Sequence, residues 1–185
     1  MNSYTLVLDY LLLSDENKKT AERLLSLSSK KKLLLDRGEK WLVENSLNGS
    51  LRLVLNNNKL VGLFCLTSFY NEQRACQDVY GEACVCRMKT VNIIEILRDI
   101  IKIEARKLGG NLFGFYFSGN TFSEQLFDLE HDFNLTEPEH LPQFVAQRWV
   151  KDSGKVNAFV CDVEQFSVNE LGEEVAELFH FDAAS

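Results

Sequence analysis

Residues 79–110 read VYGEACVCRMKTVNIIEILRDIIKIEARKLGG, and the fold turns on them. The first ten alternate as a strand does, which puts Tyr80, Glu82, Cys84 and Cys86 on one expected face and Gly81, Ala83, Val85 and Arg87 on the other. The period then changes. Ile93, Ile94, Leu97, Ile100, Ile101, Glu104 and Leu108 recur at helical spacing, predicting a helix over 91–108 that Gly109-Gly110 ends. Lys102, Arg106 and Lys107 suit the negative end of its dipole. The strand is expected to be central in its sheet.

On the N-terminal side, residues 4–12 read as a first strand, and Ser14 or Asp15 can cap a helix whose apolar side carries Leu24, Leu25 and Leu27. A second helix is expected over 30–45, with Leu34, Leu35, Trp41, Leu42 and Asn45 near one stripe and Asn48-Gly49-Ser50 ending it. Residues 51–55 and 60–69 read as two strands joined through Asn56-Asn57-Asn58-Lys59, since asparagine tolerates the positive φ of a tight hairpin. On the C-terminal side the pattern gives a strand over 112–117, a helix over 121–130, and strands over 147–150 and 158–163. The order is β-α-α-β-β-β-α-β-α-β-β, without internal repeats, which makes an α/β domain over 1–163 and a tail over 164–185.

Composition agrees with a globular chain: 185 residues, 45% apolar, 2 Pro, 10 Gly and 5 Cys. No apolar run approaches the roughly 18 residues of a membrane span, and no secretory signal is visible at Met1-Asn2-Ser3-Tyr4, so a cytoplasmic protein with reduced thiols is expected. The formal charge of −7 lies in the C-terminal stretch, where Asp162, Glu164, Glu170, Glu173, Glu174, Glu177 and Asp182 face no Lys or Arg. An acidic tail repels phosphate backbones, so nucleic-acid binding is not expected, and Lys30-Lys31-Lys32 reads as a solvated helix face. Val168, Leu171, Val175, Leu178 and Phe179 would give the tail an apolar side that packs on its own domain or docks on a protein partner.

Other constellations carry less. Cys84 and Cys86 could ligate zinc only if two further ligands converged, with Cys65 and Cys76 nearby. Buried thiols are the better reading, and no metal is expected. His131, His140 and His180 lie far along the chain and no nucleophile-turn signature surrounds any cysteine, and Phe113, Phe115 and Phe117 read as sheet packing rather than a base-stacking platform. No glycine-rich loop opens a helix, which excludes the P-loop and Rossmann fingerprints.

Three stretches resemble the GNAT acetyltransferase superfamily over residues 4–163. Asn57-Asn58-Lys59-Leu60-Val61-Gly62-Leu63-Phe64-Cys65-Leu66 is similar to its second hairpin. The fourth strand running into the long helix is similar to its cofactor-binding unit. Asn120-Thr121-Phe122-Ser123-Glu124-Gln125-Leu126-Phe127 with Asp132-Phe133 is similar to the series around its fourth helix. The resemblance implies a GNAT-like fold, with a mixed, mostly antiparallel sheet of about seven strands flanked by helices. It also implies a slot between splayed fourth and fifth strands for the pantetheine arm of acetyl-CoA, and N-acyl transfer to a small-molecule or protein amine. Val85, Arg87, Met88, Lys89, Thr90, Val91, Asn92 and Asn120 become the implied cofactor residues, with pyrophosphate at the start of the helix near Val91. Glu82 is the implied base or water-positioning carboxylate, a plain surface glutamate being the competing reading.

The chain departs from that pattern in three places. Residues 86–92 contain no Gly where the superfamily has a Gly-rich loop, although Arg87 and Lys89 supply positive charge and Thr90 or Asn92 can cap the helix. Phe127 stands where a proton-donating Tyr is usual. Glu130-His131-Asp132-Phe133 has an extra residue and no Gly before Phe133. Two readings stay open: a divergent acyltransferase, or a degenerate scaffold that acts as a protein-binding or inhibitory module. An acidic protein would steer a basic acceptor such as a polyamine, aminoglycoside or lysine-rich protein, and an uncovered sheet edge would favour a homodimer.

Overall fold

In the computed structural model, Asn57 and Asn58 hold φ of 48° and 63° and close β2 (Leu51–Asn56) onto β3 (Lys59–Asn71) in a two-residue hairpin. The structure describes residues 4–30, 37–87, 91–128, 130, 132–148 and 156–163. The Asn17 side chain, on α1 (Asp15–Lys30), accepts from the Leu60 N–H (2.9 Å) and donates to the Asn58 carbonyl (2.9 Å), which ties the hairpin tip to the helix. Ser14 caps α1, its Oγ accepting from the Asn17 N–H, and Asp15 and Glu16 occupy the first turn.

β1 (Tyr4–Val7) is shorter than its apolar pattern suggests. Asp9 accepts from the Leu11 N–H at 2.8 Å and turns the chain into a one-turn helix, Tyr10–Leu12. α2 spans Glu39–Leu47 and covers the later half of the helix expected over 30–45; residues 31–36 lie outside the described residues. Beyond the hairpin come β4 (Cys76–Cys86), α3 (Val91–Leu108), β5 (Asn111–Phe117), α4 (Thr121–Leu126), β6 (Asn134–Thr136), α5 (Gln143–Ala146) and β7 (Val156–Asp162).

These strands form one sheet in the order β1-β2-β3-β4-β5-β7-β6, antiparallel except between β4 and β5. A mixed, mostly antiparallel seven-stranded sheet is the expected fold class, but its sixth strand is not the expected one. Gln147 and Arg148 belong to the turn that ends α5, Gln147 N–H bonding the Gln143 carbonyl, and the strand is Asn134–Thr136 instead. α4 also stops four residues early, at Leu126, where the buried Arg98 side chain donates to the Gln125 and Leu126 carbonyls. The acidic tail lies outside the described residues, apart from Asp162 and Val163. Among the described residues no helix is long and apolar enough to cross a membrane.

The sheet separates two cores. On one face α3 packs Ile94, Leu97, Ile100 and Ile101 with Val54, Phe64, Leu66, Val79 and Leu112. The opposite face packs Leu25 of α1 and Leu42 of α2 against Leu51, Leu53, Leu63, Cys65 and Val85, with a smaller cluster of Phe69, Tyr80, Phe113 and Val145 beside it. Glu104, the polar residue in the apolar stripe of α3, is buried for a reason: its carboxylate accepts from Arg52 Nε at 2.8 Å and from Lys107 Nζ at 2.6 Å. Arg52 donates further to the Gly49 and Leu51 carbonyls. Removing one member strands the other charge in a buried site. Glu104→Ala is expected to lower stability by about 3–5 kcal/mol in urea denaturation, and the double replacement Arg52→Met/Glu104→Leu to recover most of that loss.

Candidate active site between two diverging strands

β4 and β5 pair as parallel neighbours at only three positions, Val79↔Leu112, Tyr80↔Phe113 and Gly81↔Gly114. Beyond them β4 continues to Cys86 alongside β3, and β5 to Phe117 alongside β7. Among the described residues no strand fills the gap, so beyond Gly81 and Gly114 the two strands share no ladder.

The closed end of this V is pinned. Asp78 is fully buried and accepts 2.7 Å bonds from Asn71 Nδ2, an Arg74 guanidinium nitrogen and the Asn111 N–H, the first residue of β5. At the apex Gly114 lets the strands approach, because a Cβ there would lie 2.5 Å from the Phe159 ring and 2.9 Å from the Gly81 carbonyl.

β4 also carries a bulge. Glu82 pairs with Cys65 and Val85 with Leu63, so Ala83 and Cys84 together oppose Phe64, and Ala83 takes a φ of 57°. The extra residue reverses the alternation. Tyr80, Glu82 and Val85 share the α1 face, whereas Cys84 and Cys86 pack with the α3 core. The simple alternation, which put Glu82, Cys84 and Cys86 together, is therefore corrected.

The gap opens into a cleft of about 880 Å³, open solvent at its edge included, that is lined from both faces of the sheet. On the α1 side it is lined by Arg37, Tyr80, Glu82, Phe115 and Arg148. On the α3 side Leu66, Ile101, Tyr116, Asn120, Ser123 and Phe127 line it. Arg98 holds the end of α4 in place, and Asn120 Nδ2 donates to Ser123 Oγ at 2.7 Å. Glu82 accepts from an Arg37 guanidinium nitrogen at 2.9 Å, and that guanidinium lies 5.0 Å from the Trp41 ring. Burial, then the Glu82 charge, pushes the Tyr80 phenol well above its usual range, with Arg37 and Arg148 pulling it back. Tyr80 keeps its proton at neutral pH. Burial likewise raises the Cys65 and Cys84 thiols, so neither supplies the thiolate that a covalent route needs.

Of the site residues that the resemblance implies, Glu82 and Asn120 line the cleft, as do the cysteines Cys65 and Cys84. Val85 instead turns its side chain into the α1 core. Arg87 is exposed, and its N–H is taken by the Val61 carbonyl at 2.7 Å. Asn92 is exposed on the first turn of α3, which starts at Val91, while Met88, Lys89 and Thr90 lie outside the described residues. Phe127 stacks on Tyr116 (centroids 6.2 Å) and Phe159 (4.3 Å), and no proton donor stands at that position. Arg37, Arg148, Tyr116 and Ser123 were not singled out. Among the described residues no three His, Cys, Asp or Glu side chains are grouped to hold a metal ion.

No family model matches the chain, and no curated protein matches it. Solved structures do. N-acetylglutamate synthase from Neisseria gonorrhoeae, complexed with coenzyme A and N-acetyl-glutamate, superposes with a TM-score of 0.66 at 15% identity over 86% of this chain and 35% of that one. A chain of the NatC complex bound to Gag peptide and CoA gives 0.61 at 13% identity over 87% and 98%. An acetyltransferase of the GNAT family from Streptococcus pneumoniae gives 0.52 at 13% over 86% and 98%. The chain has the GNAT fold. It spans about a third of the length of the synthase it matches.

The GNAT sheet of this chain thus keeps its divergent strands although the segment after β4 contains no Gly. The apex should be the most sterically demanding position: Gly114→Ala is expected to destabilise the protein by about 1–3 kcal/mol, read as a lowered urea midpoint at unchanged slope.

Proposed function

We propose that the chain is an acetyl-CoA-dependent N-acyltransferase acting on an amine. The observation that supports this reading is the cleft between β4 and β5, lined from both faces of the sheet, with the edge of β4 along its wall where the ladder to β5 has ended. A pantetheine arm is an extended chain with two amides, and such an edge offers it hydrogen-bonding partners in an otherwise apolar slot. Residues 82–86 of β4 would hold the arm, with Leu66, Ile101 and Phe127 walling it. Arg87 and the start of α3 at Val91 and Asn92 would face the phosphates. Acetyl-CoA supplies the activated acyl group.

The chain's own residues divide the proton work. The amine must reach the thioester neutral, and Glu82, held by Arg37 at the α1-side mouth, accepts its proton through water. β4 N–H groups beyond the ladder with β5 would suit the oxygen on which negative charge develops. The new C–N bond forms as the C–S bond breaks, and the departing sulfur takes a proton from the Tyr116 phenol, which lines the α3 side beside Phe127. Raised cysteine thiols favour this direct route over an acyl-enzyme. The superposed structures determined with coenzyme A agree with this cofactor class. An intact cleft also speaks against a scaffold that has lost its ligand.

Calorimetric titration with acetyl-CoA is expected to give saturable binding. Tyr116→Phe should leave that affinity near wild type and reduce kcat by about 10²-fold or more, measured by free-thiol release. Absence of binding at millimolar acetyl-CoA, with no thermal shift, overturns the proposal.

A further inference from the structure

We infer that the acceptor is an amine that also carries a carboxylate, an amino acid in the simplest case, and that Arg148 is the residue that selects it. The inference rests on the acyltransfer reading for its reaction, and on the α1-side mouth of the cleft for its chemistry. Among the described residues two guanidiniums line that mouth, Arg37 and Arg148, with one carboxylate, Glu82. Arg37 is ion-paired with Glu82 at 2.9 Å. Arg148 has no ion-pair partner among the described residues. Its guanidinium carbon lies 3.5 Å from the centre of the Phe144 ring and 5.5 Å from that of Tyr80, and one terminal nitrogen donates to the Phe144 carbonyl at 2.7 Å.

That arrangement presets an anion receptor. Stacking on Phe144 fixes the guanidinium plane, and the bond to the Phe144 carbonyl fixes its rotation, so its remaining donors form a fork for a planar carboxylate. The protonated Tyr80 phenol lies in the same mouth. The described charged residues of the mouth, Arg37, Arg148 and Glu82, sum to a formal charge of +1, which suits a monoanion. A phosphate dianion would leave excess charge beside Glu82, and a polyamine would bring cations against two arginines. Glu82 and Arg148 are thus of opposite sign at one opening, matching the two ends of a zwitterion. The chain's net charge of −7 has the contrary sign to this mouth and does not describe it.

The test uses the full chain with acetyl-CoA and matched acceptors: phenylalanine against phenethylamine, leucine against isopentylamine, and spermidine. By thiol release, kcat/KM for the amino acid should exceed that of its decarboxylated partner by at least about tenfold in each pair. Arg148→Gln should collapse that difference through KM, with partial recovery in Arg148→Lys. If acetyl-CoA binds but the bare amines or spermidine are preferred, this inference falls and the acyltransfer reading stands. If acetyl-CoA does not bind, the acyltransfer reading falls, and saturation-transfer NMR on the same pairs judges the mouth alone. Stronger binding of the amino acids upholds it, and equal or weaker binding overturns it. The comparison of pairs on the wild-type chain decides the matter even if an Arg148 variant fails to fold.

Discussion

Everything distinctive in this molecule follows from a parallel ladder that stops after three pairs. Two strands joined at Val79–Gly81 and Leu112–Gly114 and separated afterwards must leave a wedge through an otherwise continuous sheet. The wedge survives because each side is supported from outside: β3 holds β4 along its length, and β7 holds β5 over all seven of its residues. Asp78 fixes where the two meet, and its three short hydrogen bonds satisfy a charge that water cannot reach. The absence of a Cβ at Gly114 sets how closely they meet.

Much of this was legible in the sequence. Ile93 to Leu108 announced α3 by period alone, Asn57-Asn58 announced the hairpin by their tolerance of positive φ, and the family likeness led to the diverging strands and to Glu82. Other features had no local signal. Ala83 adopts a left-handed conformation that its side chain does not advertise, so alternation through 79–88 put Cys84 and Cys86 on the wrong face. β6 is three residues long with Asn134 and Leu135 exposed, and a strand held only by its partner β7 leaves no hydrophobic pattern to read.

The residues that give the cleft its charge were hidden for a different reason. Arg37 meets Glu82 across 45 positions of sequence, and no spacing rule relates them. Arg148 sits in a stretch whose apolar neighbours suggested a strand, and its stacking on Phe144 comes from one helical turn instead. Glu104 is the opposite case. It stood out as a charged residue in an apolar stripe, and only the tertiary contact with Arg52 explains it. Local rules thus located the scaffold, while the electrostatics of the site depended on contacts made after the chain had folded.

The bulge at Ala83 has one more consequence. Because two residues of β4 oppose one of β3 there, the strand behaves as two half-strands out of phase, one presenting Tyr80 and Glu82 to the α1 face and the other presenting Cys84 and Cys86 to the α3 core. A one-residue deletion at this point would restore regular pairing while rotating the downstream half by a half-turn, exchanging what is buried for what faces α1. Insertions and deletions within 82–86 should accordingly be far rarer than substitutions among proteins that keep this architecture.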